Sequence, residues 1–481
     1  MNGSDLLELS ASDLSRMIHA RQLAPSEVMA THLAQVAAAN GAVNAVVSAR
    51  DPEVLMAEAR AADDVAPAGW LHGIPLAVKD LCATAGLRTT WGSPLFADFV
   101  PEKDDLLAAR MRGAGAILTG KTNTPEWGHG SHSFNPVFGV TRNPYDLTRT
   151  AGGSSGGAAA ALAARMLWVA DGSDMMGSLR NPAGFCNIYG FRPSWGLVPG
   201  DAEGDTFLAT LATEGPMART VEDLARLLAV QAGPNPEVPF CRDAQDFPAL
   251  LDRDVKGLRI GWLGNWGGAY AMEPGILELC EAALRQFEDM GAVVDPLPPP
   301  FPAEKLWQAW ITLRAMLNAG AFRPFSAARR AQLKPETQWE IAQGEGLSAA
   351  AVHEASTIRS RWYAHAARLF ARYDLIALPT AQVWPFPADW RWPQEVAGRA
   401  MDTYHRWMEV VIPASLAGLP ALSVPVGFGQ PGSQAAGLPM GMQLIGPAGG
   451  DAGVLAAGQA WHRATGWPQK RPPLVPPANS R

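Results

Sequence analysis

Two serines and a lysine carry the clearest chemistry in the sequence. Ser154 sits inside Gly152-Gly153-Ser154-Ser155-Gly156-Gly157, and Ser178 follows Met176-Gly177. Glycines beside a serine let backbone N–H groups approach a reacting atom and adopt dihedrals that side chains forbid. Each turn can therefore offer a hydroxyl together with hydrogen-bond donors, which is what acyl transfer needs: a nucleophile and a cradle for the oxyanion. The nucleophile also needs a base. His129 and His132 lie upstream, but no acidic partner follows at the spacing of a Ser-His-Asp triad. Their H-x-x-H spacing also lacks the third ligand and the glutamate of a metal centre, so they read as loop or pocket residues. Lys79 closes the apolar run Ile74-Pro75-Leu76-Ala77-Val78, which reads as a buried strand. Burial strips an ammonium of its hydration, lowers its pKa and leaves an amine that can accept a proton. Lys79, Ser154 and Ser178 form a candidate relay. The glycine loop lacks the Gly-Lys-Ser/Thr ending of a P-loop, which argues against a phosphate cradle.

The elements needed to position these groups alternate between strand and helix. Ser12 is a candidate cap for a helix over 13–21, and Pro25-Ser26-Glu27 opens a second helix. A strand at 43–48, a helix at 52–64, the Lys79 strand, a helix at 104–113 and a strand at 116–120 follow. The run 158–170 is apolar except for Arg165 and, being shorter than the roughly 20 residues that span a bilayer, reads as a core helix. Later come a helix at 220–230, a strand at 258–263, a helix at 274–290, strands at 292–295, 424–428 and 440–444, and a closing helix at 451–465. The long aperiodic loop 122–150 ends at the first serine, and a loop of that length in a compact domain usually serves function. The alternation predicts an α/β fold: one large domain with a central mixed, mostly parallel twisted sheet covered by helices on both faces. Within it, 1–64 reads as an N-terminal helical arm, 65–230 as the catalytic core, 303–411 as a helical tryptophan-rich segment and 468–481 as a loose tail.

Composition narrows the function classes. The 481 residues carry a net charge of −7 with no long basic run, which excludes the electrostatic footprint of nucleic-acid or anionic-membrane binding. Cys82, Cys186, Cys241 and Cys280 show no paired spacing, so neither a zinc site nor a disulfide framework is expected, and a cytoplasmic location is the simpler reading. No metal or organic cofactor is implied.

The same residues resemble the amidase signature family of serine hydrolases. The resemblance rests on Gly73-Ile74-Pro75 with Lys79-Asp80, on the Gly152 to Gly157 loop, and on Gly177-Ser178-Leu179-Arg180-Asn181-Pro182-Ala183, with Ser178 24 positions after Ser154. Further matches include Thr141-Arg142-Asn143-Pro144-Tyr145, Glu214-Gly215-Pro216-Met217 and Leu438-Pro439-Met440-Gly441, so the resemblance spans nearly the whole chain. It implies that Ser178 is the nucleophile, that Ser154 bridges protons from within a cis peptide, and that Lys79 is the base. The backbone N–H groups of Met175, Met176, Gly177 and Ser178 would form the oxyanion hole. The family usually has a threonine and two glycines before the second serine; this chain has Asp174-Met175-Met176-Gly177, so the Met176 side chain is expected to trim or line the pocket. Without the motif, Ser178 could equally cap a helix starting at Leu179. Asp174 reads as a loop organiser and Arg180 as a structural anchor.

The resemblance implies an amidase working through an acyl-enzyme on a small-molecule amide, with esterase or urethanase activity open because esters and carbamates present the same carbonyl. The tryptophans of 303–411, a segment that caps the site in this family, suggest an apolar or aromatic pocket. The alternative is the amidase component of a multi-subunit amidotransferase that releases ammonia from glutamine for a partner. A homodimer is common in the family.

Overall fold

The computed structural model describes residues 3–474. After a single helical turn at Gly3–Leu6 come helices α1 (Ala11–His19), α2 (Pro25–Val43) and α3 (Pro52–Asp63), with strand β1 (Val46–Val47) between the last two. The cap of α1 is Ser10, not Ser12: Ser10 Oγ accepts from the Asp13 amide at 2.9 Å, and the Asp13 carboxylate accepts from the Ser10 amide at 3.2 Å. Ser12 is buried and donates to Asp223 at 2.6 Å, tying the arm to the body.

Strands β2 (Pro75–Lys79) and β3 (Ile117–Thr122) flank α4 (Leu106–Gly113) and pair in parallel, with β1 antiparallel on the outer side of β3. The apolar run 158–170 is not one helix. Helix α5 (Gly156–Ala163) stops at Ala164, Arg165 takes φ +61°, and β4 (Val169–Asp174) begins four residues later. An apolar run buried on every side has no periodicity to separate helix from strand. The loop 122–150 is also more ordered than expected, because Arg142–Asn143 pairs with Asp146–Thr150 and Phe134–Asn135 with Gly139–Val140.

The main sheet adds helix α6 (Arg180–Phe185), strands β5 (Tyr189–Arg192) and β6 (Thr213–Ala218), helix α7 (Val221–Gln231), strand β7 (Arg259–Trp262), helix α8 (Ile276–Asp289) and strand β8 (Val293–Pro296). Helices α9 (Ala303–Ala321), α10 (Pro335–Glu345) and α11 (Ala349–Leu369) precede β9 (Leu375–Pro379), β10 (Ala421–Phe428), β11 (Pro439–Ile445) and helix α12 (Asp451–Thr465). Strand order is β8-β7-β9-β11-β10-β5-β6-β4. The sheet is mixed, as expected, but its balance corrects the expectation of mostly parallel pairing: only β8–β7 and β7–β9 are parallel, and the other five neighbours are antiparallel. Successive residues along a strand face opposite sides of the sheet. Leu422 of β10 meets α12 at Gly458, whereas Gly441 of β11 lies against Gly184 of α6, so helices cover both faces.

Part of the segment expected to be a loose tail is tied down. Pro468 accepts from Arg165 at 2.8 Å, Lys470 accepts from the Tyr145 hydroxyl at 2.6 Å, and Leu474 packs on the core. The remainder of that segment, 475–481, lies outside the described residues.

Candidate active site

Lys79 ends β2, and its side chain is 1% exposed. The strand is held against β4 by its own backbone: the Lys79 amide donates to the Asp171 carboxylate at 3.1 and 3.2 Å. Lys79 Nζ lies 2.8 Å from Ser154 Oγ, 2.8 Å from Ser155 Oγ and 3.0 Å from Ser173 Oγ. Among the described residues no carboxylate reaches Nζ at ion-pair distance. Burial lowers the Lys79 pKa to about 7, against the opposing pull of Asp171, Asp174 and Glu214. Three hydroxyls can satisfy either form of the group, and in the neutral form the amine lone pair accepts from one of them.

Ser154 follows a cis Gly153–Ser154 peptide bond, as the resemblance implied. Its loop is packed too tightly for side chains: a Cβ on Gly153 would lie 2.9 Å from the His132 amide nitrogen, and one on Gly157 would lie 2.3 Å from that of Asn123. Ser178 shares a cavity of about 190 Å³ with Ser154, Ser173, Met175 and Met176, and its carbonyl accepts from the Ser155 amide at 3.2 Å. The helix after it is capped at Leu179, so Ser178 is not a helix cap.

Asp174 organises the turn between β4 and Ser178. Its carboxylate accepts from the Gly177 amide at 2.8 Å and the Leu179 amide at 3.2 Å, and it pairs with Arg180 at 3.0 Å. Arg180 in turn donates to Gln443 at 2.6 Å and Ser415 at 2.7 Å, and Arg192 binds the Asp174 carbonyl. Burial opposes its ionisation, but the two guanidinium groups outweigh that, and the carboxyl stays well below the usual carboxylate range. One member of the expected oxyanion set is corrected by this network: the Gly177 N–H is spent on Asp174. Among the described residues, the amides of Met175, Met176 and Ser178 donate to no acceptor. Gly177 instead supplies the turn with φ +80°.

The opposite wall departs from expectation. The tryptophans of 303–411 do not line the cavity. Trp307, Trp310, Trp362 and Trp407 are buried packing, and the segment contributes Arg314, Asn318 and Met408. The aromatic wall is Trp127, stacked on Trp91 and edged by Phe96, Phe322 and Phe325. His129 lines the cavity and contacts Thr337 at 2.7 Å and Asn318 at 3.2 Å. His132 binds Thr150 at 2.7 Å and the Ala388 carbonyl at 3.1 Å. Burial pushes both imidazoles down to about 4. Sequence reasoning missed Ser155, Ser173 and Arg314. The period of two along β4 places Ser173 on the face of Asp171, and Ser155 adjoins Ser154, so both were findable.

The family model for amidases matches residues 27–455. The chain belongs to the amidase family. It is 33% identical to a glutamyl-tRNA(Gln) amidotransferase subunit of Moorella thermoacetica, over 98% of this chain and 99% of that one. It is 32% identical to an acylamidase of Rhodococcus erythropolis over 98% of each. Among solved structures, a bacterial aryl acylamidase of the amidase signature family superposes with a TM-score of 0.88 at 29% identity, covering 96% of this amidase and 97% of that chain. Among the described residues, no helix is long and apolar enough to cross a membrane.

Proposed function

We propose that this amidase hydrolyses small carboxylic amides through a Ser178 acyl-enzyme, with Lys79 as base and Ser154 as the proton bridge. The carrying observation is the buried Lys79 amine 2.8 Å from Ser154 Oγ, with Ser154 and Ser178 lining one cavity. Neutral Lys79 accepts the Ser154 proton as Ser154 accepts that of Ser178, and Ser178 Oγ attacks the carbonyl carbon. The oxyanion is held by the amides of Met175, Met176 and Ser178. The proton returns through Ser154 to the leaving nitrogen, the C–N bond breaks, and water attacks the ester by the same relay to release the acid. Esters and carbamates offer the same carbonyl and are expected to react. The apolar faces of Trp127, Leu81 and Met408 support an apolar or aromatic substituent. Four unpaired cysteines support a reducing compartment, the cytoplasm.

Replacing Ser178 with alanine should reduce amide hydrolysis at least ~1000-fold and abolish labelling by a fluorophosphonate. Labelling that persists with full turnover sinks the assignment. The 33% identity to an amidotransferase component favours one second reading, that the chain releases ammonia from glutamine for a partner. Purified single chain that turns over simple amides but not glutamine decides for the free-standing enzyme.

A further inference from the structure

The wall facing Ser178 carries a cation whose bonds are unevenly spent. Arg314 sits at the middle of α9, 5% exposed, where the helix packs on α10. Its Nε donates to both oxygens of Glu340, at 2.8 and 3.1 Å, and Nη2 donates to the Tyr404 hydroxyl at 2.9 Å. Glu340 is closed off on its other sides by Tyr404 and Asn318, and Asn318 by His129. Nη1, by contrast, reaches only the thioether sulfur of Met175, at 3.2 Å. A thioether is a weak acceptor, so a guanidinium edge at the cavity wall is left short of partners while Glu340, Tyr404 and Asn318 around it are bonded.

Resting on the hydrolase reading above, we propose that Arg314 Nη1 is a specificity-determining donor that binds a second, uncharged oxygen of the substrate in addition to the carbonyl being cleaved. The acceptor displaces the Met175 sulfur, which belongs to the same residue that offers an amide to the oxyanion. Chemical class follows from charge. Glu340 already neutralises Arg314 through a two-oxygen contact, so a carboxylate would bring a second negative charge beside Glu340 at a wall where both groups are buried. A ketone, ether or carboxamide oxygen takes the hydrogen bond without that repulsion. The volume of about 190 Å³ lies below the roughly 300–1,000 Å³ of drug-sized sites, which restricts the substrate to a short acyl chain.

Three probes of nearly equal shape separate the possibilities: succinamide, 4-methylpentanamide and succinamate. The measurement is kcat/KM for ammonia release by the intact enzyme. Wild type should favour succinamide over 4-methylpentanamide about ten-fold or more beyond the statistical factor for its paired carboxamides, as expected for a hydrogen bond to a charged donor. Succinamate should fall below succinamide. The paired substitution Arg314→Met with Glu340→Gln, which leaves no uncompensated charge, should bring the first ratio down to its statistical value while Ser178 keeps its fluorophosphonate labelling. A wild-type ratio at the statistical value, or a preference for succinamate, overturns the proposal, and neither result depends on the variant folding. Where Ser178 labels but this ratio is flat, only the Arg314 assignment falls. Where no probe is cleaved and Ser178 does not label, the hydrolase reading falls and takes it along.

Discussion

A lysine amine near neutrality is the residue-scale feature on which the proposed chemistry turns. Burial lowers the Lys79 pKa to about 7, so the amine is protonated and useless as a base below that point and free above it. The kcat/KM profile for an uncharged amide should therefore rise with pH and level off with a midpoint near 7, and a flat profile between pH 5.5 and 8.5 would contradict the role. Lys79→Met should cost about 100- to 10,000-fold in kcat and remove that limb. Stability responds with a defined sign as well. The unfolded lysine still binds a proton up to about pH 10.4, so the folded state gains stability as pH rises from about 7 toward that value and is penalised below it. Lys79→Met should accordingly raise Tm at pH 6 even as it destroys activity. This combination separates a catalytic group from a structural one.

At the scale of elements, the distance between the catalytic turn and the sheet is set by glycines. Gly184 of α6 and Gly441 of β11 lie against each other, and a Cβ on Gly441 would come within 2.9 Å of Gly184 Cα, 2.8 Å of Thr380 Oγ1 and 2.9 Å of Ser423 Oγ. No side chain there is long enough to bend away, so Gly441→Ala must lift α6 off the sheet. Ser178 lies two residues before α6, and the Gln443 partner of Arg180 lies two residues along the same strand. The expected result is a kcat reduced about 10- to 100-fold, as a shift of the order of 1 Å in a reacting group would give. Secondary structure by circular dichroism should be retained, and unchanged kcat would refute the spacing argument. The motif around α6 was legible in the sequence, as were the bounds of α12 and the Lys79 strand, because turns, caps and tight approaches are recorded in local residue types. Pairing direction was not legible. Strands β5, β6 and β9 are short and almost wholly buried, and the β9–β11 and β10–β5 neighbours are brought together by connections too long for local pattern to report. The Trp-rich segment misled for a related reason: indole rings mark burial, and nothing in their spacing says whether they bury against protein or ligand.

The whole molecule buries four neutral imidazoles, and each makes the fold less stable in acid. Burial pushes His32, His129 and His132 down to about 4 and His405 to about 3. Each is near 6.5 in an unfolded chain, so the unfolded state binds more protons than the folded one between those values. Their contribution is thus complete above pH 6.5 and is lost progressively as pH falls toward 4. The carboxylates held low act in a lower window: Glu340, kept at about 2 by Arg314 despite burial, loses its contribution only below about 4.5. The histidine limb runs against the buried carboxyls of Asp105, Asp171, Glu214 and Glu409, raised by burial to about 6, 6, 8 and 7, which take up protons in the folded state first and so favour it as pH falls; the histidine contribution is therefore read by substitution at one ring. His405 gives the sharpest test. Both its ring nitrogens are buried without a hydrogen-bond partner among the described residues, and the ring stacks on Tyr404 at 4.5 Å and leans on Trp307 at 5.2 Å. A phenyl ring keeps those contacts and cannot take a proton. His405→Phe should therefore match wild type within about 1 kcal/mol at pH 7.5 and exceed it at pH 5, with the gap widening as pH falls. A variant whose Tm tracks wild type in parallel from pH 7.5 to 5 would show that the His405 ring does not contribute to the acid response.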